Sequence, residues 1–168
     1  MSSVLVVYGT SSGCTRGVAE KIGEALGGMG AHVDVRPASD VPDASAYDAV
    51  VVGSGVRAGQ WHAAARMWVT EQAEALKERP VAFFTCGLTI TDVAKTAEVR
   101  AYTDPLMAAT GLSPVDVGLF AGWNEPAAFK IPERLVMKVM KAPVGDFRDW
   151  DAIADWSRSV APRLGLAG

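Results

Sequence analysis

The sequence of 168 residues is poor in the residues that build covalent or metal-held frameworks. It has two cysteines, Cys14 and Cys86, and neither belongs to a C-x-x-C pair. That excludes a disulfide scaffold and points to a reducing compartment. Two histidines, His32 and His62, are too few and too far apart for an obvious zinc site. Positive charge is not in excess: 16 Lys and Arg stand against 19 Asp and Glu, a net −3, which argues against general nucleic-acid binding. No apolar run has the length of a membrane span. The first one is short and has no basic flank, unlike a signal peptide. Repeats, low-complexity tracts and linkers are also missing. With 49% hydrophobic residues, the expectation is one globular domain over residues 1–168, cytoplasmic and soluble or peripheral at a membrane.

What is present begins at the N-terminus. Val4-Leu5-Val6-Val7-Tyr8 reads as a buried strand. Gly9-Thr10-Ser11-Ser12-Gly13-Cys14-Thr15 follows at once, and then Val18, Ile22, Ala25, Leu26 and Met29 recur at helical spacing. A small, hydroxyl-rich loop at a helix start offers free N–H groups and a favourable dipole to an anion. The loop therefore reads as a phosphate cradle, or else as an ordinary strand-to-helix turn with Ser and Thr caps. It is neither a Walker A loop nor G-x-G-x-x-G.

Further along, Val33 and Val35 make a short edge strand, and Asp48–Gly53 a second buried strand. A glycine-rich loop, 54–60, leads into a helix predicted from about Trp61 to Lys77, with Trp61, Ala65, Trp68 and Gln72 on one side. Val81–Thr85 is a strand and 86–91 a loop. Asp92 caps a helix reaching about Ala109, broken at Pro105. Ser113–Phe120 is the last strand, and Trp150 to Leu164 space a closing helix. Strands alternating with helices imply βαβ units and a mostly parallel sheet buried on both faces. Right-handed crossovers make it doubly wound, with ligands at the carboxyl ends of its strands. Three loops lie there: 10–15, 54–61 and 86–91.

This arrangement resembles the flavodoxin-like family. The likeness rests on the loop Tyr8–Thr15, on Tyr47–Ser54 as third strand and on Arg79–Phe84 as fourth. Within that family, Gly53–His62, Arg134–Lys141 and Asp149-Trp150 look like quinone-dependent protoporphyrinogen IX dehydrogenases. The resemblance implies a five-stranded parallel sheet of order 2-1-3-4-5 with helices on both faces, and FMN as cofactor. It places the phosphate on Thr10, Ser11, Ser12, Gly13, Cys14 and Thr15. The ring falls among Ser54, Gly55, Val56, Arg57, Gly59, Trp61, Thr85, Cys86, Gly87 and Leu88. Trp61 is the expected stacking face, or a helix-start anchor packed on Trp68. The third loop lacks an aromatic cover, so Leu88 or Ile90 shields the ring in part, or Trp123 folds over. No catalytic acid or base is assigned, because flavin chemistry needs mainly positioning and electrostatics. The alternatives are an electron carrier meeting a redox protein partner, and the same fold with the deazaflavin F420, whose acidic tail would engage Arg16 and Arg57. An enzyme would meet a small-molecule redox substrate or a quinone.

Residues 131–142 form a further basic amphipathic segment. Arg134, Lys138 and Lys141 share one face, and Leu135, Val136, Val139 and Met140 the other. Such a helix either packs on its own domain or lies on an anionic membrane surface.

Overall fold

The computed structural model describes residues 1–124, 130–139 and 144–167, without the side chain of Met137. Strand β1 (Ser3–Gly9) is paired in parallel with β2 (His32–Pro37) on one side and β3 (Ala49–Arg57) on the other. β5 (Val81–Gly87) and β6 (Val117–Ala121) extend the sheet past β3, so the five parallel strands run β2-β1-β3-β5-β6. Counting those strands alone, this is the expected order 2-1-3-4-5.

Side chains that alternate along each strand divide between two cores. Val4, Val6, Val51 and Phe84 pack under α1 (Cys14–Gly27) and α7 (Trp150–Val160). Leu5, Val7, Val50, Val52 and Phe83 pack under α2 (Ala63–Glu71) and α3 (Ala73–Lys77). Helices therefore cover both faces, which is why the strands read as unbroken apolar runs. α1 buries Val18, Ile22 and Leu26 completely at four-residue spacing. Each such side chain contributes about 1.5–3 kcal/mol of burial free energy.

Several elements depart from expectation, among them the last parallel strand, which starts at Val117 and not at Ser113. The helix predicted from Trp61 starts two residues later, at Ala63, with His62 Nδ1 accepting from the Ala64 N–H at 3.2 Å. Gln60 and Trp61 instead form β4, antiparallel to the end of β3, with Val56 opposite Trp61 and Arg57 opposite Gln60. Ala58 and Gly59 turn this hairpin at φ 50° and 72°, the signature of a two-residue type I′ turn. The helix expected after Asp92 is broken into α4 (Thr96–Arg100) and α5 (Asp104–Thr110), with short 3₁₀ turns around α4 and Pro105 in the first turn of α5. Finally, β7 (Trp123–Asn124) and β8 (Gly145–Asp146) pair as a separate ribbon that periodicity did not show. α6 (Ile131–Val139) lies in the chain between its two strands. Met140 and Lys141 of the predicted amphipathic segment fall outside the described residues.

Candidate functional site: three loops at the carboxyl edge of the sheet

The loop from β1 to α1 ends at Gly13, which caps α1 at φ 87°. A side chain there would cost about 1–2 kcal/mol, because Cβ crowds the carbonyl in this left-handed conformation. α1 has no side-chain cap bond and no acidic residue in its first turn. Its first amides thus keep their donor capacity, and the positive end of the dipole is not neutralised. Thr10 Oγ1 accepts from the Gly13 N–H at 3.0 Å, which folds the loop on itself. Ser11 is exposed, and Thr10, Ser12 and Gly13 are half-buried. Cys14 and Thr15 are buried beneath them.

The second loop touches the first. A Cβ built on Gly55 would come 3.1 Å from Thr15 Oγ1. Ser54 is fully buried, its Oγ accepting from the His62 N–H at 2.8 Å and donating to the Gly55 carbonyl at 2.7 Å. Gly55 and Val56 are half-buried, while Arg57 and Gly59 are exposed on the hairpin. Arg57 Nη1 is 2.7 Å from Glu133 Oε1 on α6. In the third loop Thr85 and Cys86 are buried, and Gly87 and Leu88 half-buried. Burial raises the Cys14 thiol pKa and pushes that of Cys86 well up, so both thiols are neutral at neutral pH.

Trp61 sits deeper than a helix start would place it. Its side chain is 3% exposed and packs against Phe83 with ring centroids 5.2 Å apart. Its indole N–H donates to Thr85 Oγ1 at 2.9 Å. It therefore packs in the core under α2. The hairpin turn is the cause: pairing Trp61 with Val56 points its ring inward, where a helix start would have left it at the rim. Thr85 and Ser54 likewise act from the interior, holding Trp61 and the β3 exit in place.

The structure adds Arg148, Asp146 and Tyr102, which the sequence did not single out. Arg148 grips Asp146 with a fork, Nε to Oδ1 at 2.9 Å and Nη2 to Oδ2 at 2.7 Å. Its guanidinium lies 4.3 Å from the Trp123 ring centroid and 4.6 Å from that of Trp150, within cation–π range of both. Nη1 donates to the Cys14 carbonyl at 3.3 Å. The Arg148 bond holds the Asp146 carboxyl below its usual range. Trp123 Nε1 donates to Ser12 Oγ at 3.1 Å, so this indole, which the sequence offered as a cover for the ring, lies against the first loop. Tyr102 lies 3.7 Å from a Cβ built on Gly59, beside the hairpin tip. The one local signal for this cluster was the alternation of Asp146, Arg148 and Trp150, which puts them on one side of an extended stretch. A cleft of about 250 Å³ between α1 and α7, lined in part by Lys21, Glu24, Met29 and Arg158, lies at the opposite end of α1 and shares none of these groups.

A doubly wound parallel sheet whose first crossover opens on an uncapped, hydroxyl-rich helix start, at the point where strand order reverses, defines a flavodoxin-type α/β protein. A family model described as "Flavodoxin domain" matches residues 5–151, and the chain belongs to that family. Among curated proteins it is 25% identical to the protoporphyrinogen IX dehydrogenase [quinone] of Escherichia coli K12, over 94% of this chain and 93% of that one. It is 27% identical to the enzyme of the same name from Leishmania major, over 94% of this chain and 74% of the relative. Among solved structures it resembles a short-chain flavodoxin associated with a PDU bacterial microcompartment, with TM-score 0.63, 14% identity and 98% and 99% of the two chains covered. It also resembles oxidised flavodoxin 1 from Bacillus cereus, with TM-score 0.59, 15% identity and 97% and 99% covered. At these identities the structures show a shared fold.

Proposed function

We propose that this chain binds FMN across the three loops and is a flavin-dependent oxidoreductase that moves reducing equivalents between an organic substrate and a quinone, as the names of its curated relatives suggest. The observation that carries the reading is the first loop: an uncapped α1 start with Gly13 at φ 87° and the hydroxyls of Thr10, Ser11 and Ser12 around it. This donor set fits a phosphate dianion held by neutral donors and a helix dipole. Bound there, a flavin would supply two-electron or one-electron redox chemistry that side chains cannot. The chain's part is to bind and orient. Thr10, Ser11, Ser12 and the first-turn amides hold the anionic end. Gly55, Val56, Gly87 and Leu88, the half-buried members of the other loops, border the ring. Ser54, Thr85 and Trp61 fix those loops from below.

FMN is favoured over F420 by the flavodoxin family match, and the two arginines that an acidic tail would engage already have carboxylate partners. Arg16 Nε lies 2.8 Å from Glu20, and Arg57 pairs with Glu133. An acidic tail would have to displace both carboxylates. The similarity over nearly the full length of the bacterial relative favours an enzyme over a carrier.

The visible spectrum of the purified protein is the first test, with the released cofactor identified after denaturation. FMN is expected; a protein that binds F420 and not FMN overturns the cofactor assignment. Turnover of protoporphyrinogen with a menaquinone analogue then separates an enzyme from an electron carrier, which would reduce a protein partner instead.

A further inference from the structure

Eleven large hydrophobic side chains are exposed among the described residues, and seven of them fall between positions 131 and 150. Four are on α6 alone: Ile131 is 79% exposed, Leu135 63%, Val136 55% and Val139 75%. Folding onto the domain would have buried them, so this helix does not pack its apolar face on its own sheet. At about 100° per residue, Ile131, Leu135 and Val139 form a stripe along one side, with Val136 widening it. Lys130, Arg134 and Lys138 border one edge of that stripe. The single acid of the element, Glu133, lies about 130° around from the stripe. It reaches back to the Lys130 N–H at 3.2 Å and pairs with Arg57. The helix is thus tied to the cofactor-loop hairpin by the side away from its apolar stripe, and its one negative charge is matched.

We propose that α6 docks this protein on an anionic phospholipid surface, with the apolar stripe in the acyl boundary and the basic edge among the headgroups. Charge complementarity selects this occupant. The chain as a whole carries −3 and is not attracted to anionic lipid in bulk, so the attraction must come from the basic edge of this one helix. A second copy of the chain suits the stripe less well, because the one acid of the facing helix, Glu133, is already paired with Arg57 and leaves the basic edge no carboxylate to meet.

The test uses the full-length protein in flotation with phosphatidylglycerol–phosphatidylcholine vesicles and with phosphatidylcholine alone. It reads lipid binding only, so its failure leaves the redox assignment standing. Binding is expected to the anionic vesicles and not to the neutral ones. It should weaken as salt shortens the screening length from about 10 to about 3 Å between 0.1 and 1 M. Lys138→Gln should lower partitioning about fivefold. Leu135→Asp should abolish it while the near-UV circular dichroism stays native. Equal binding to both vesicles, no binding, or undiminished binding by Leu135→Asp overturns the proposal. So does a concentration-dependent dimer in sedimentation equilibrium that Leu135→Asp dissolves, which would give the stripe to a second copy.

Discussion

Replacing Trp61 with Phe separates two roles for one ring. In the structure the indole N–H donates to a fully buried Thr85 hydroxyl at 2.9 Å, and the ring packs on Phe83. Phe keeps most of the packing and removes the donor. A net hydrogen bond is worth about 0.5–1.5 kcal/mol, and a buried partner left unpaired brings the loss to about 1–3 kcal/mol. With a urea slope near 2 kcal/mol per molar, the unfolding midpoint should fall by about 0.5–1.5 M at constant slope. FMN affinity should stay within about twofold. Trp61→Ala should lose about 3–5 kcal/mol, a large part of the stability of an ordinary domain. Thr85→Val alone strands the indole N–H, but combined with Trp61→Phe it removes both partners. The double variant should therefore be more stable than the sum of the two losses, with a coupling of about 1 kcal/mol. An unchanged midpoint together with a tenfold loss of FMN affinity would refute this reasoning and put the indole against the ring.

Three further outcomes are expected. Gly13→Ala forces a side chain into φ 87° and should cost about 1–2 kcal/mol; in fluorescence titrations it should weaken FMN binding more than riboflavin binding, since only FMN carries the phosphate. Trp123→Phe removes the donor to Ser12 Oγ and about 1 kcal/mol of loop order, so FMN affinity should drop severalfold with riboflavin unchanged, and equal losses for both would place Trp123 at the ring. The Cys86 pKa is raised by desolvation, so its contribution to stability is full below the ordinary thiol value of about 8.5 and is lost as pH rises beyond it; unfolding midpoints measured upward from pH 8 should fall, and a thiol reagent should label neither Cys14 nor Cys86 in the native protein at pH 7.

Much of this was legible in the chain because it depends on local periodicity. The apolar runs at Val4–Tyr8, Asp48–Gly53 and Val81–Thr85 and the four-residue spacing of Val18, Ile22 and Leu26 identify a doubly wound sheet before any contact is known. The loop at 10–15 announces itself by composition, since small hydroxyl residues between a strand and a helix leave the helix start open. The amphipathic pattern of Ile131–Val139 is equally local. What periodicity does not carry is the direction of a side chain at an element boundary. A two-residue turn at Ala58-Gly59 flips Trp61 from the rim into the core, and only the register with Val56 sets that. Nor does it carry contacts between distant segments. Ser12 meets Trp123, and Cys14 meets Arg148, because β7 and β8 fold back over the first loop from more than a hundred residues away. Whether the apolar stripe of α6 faces the sheet or water is likewise a matter of tertiary packing. The sequence determines which residues seek burial, and the assembled sheet decides how much covered surface there is to receive them.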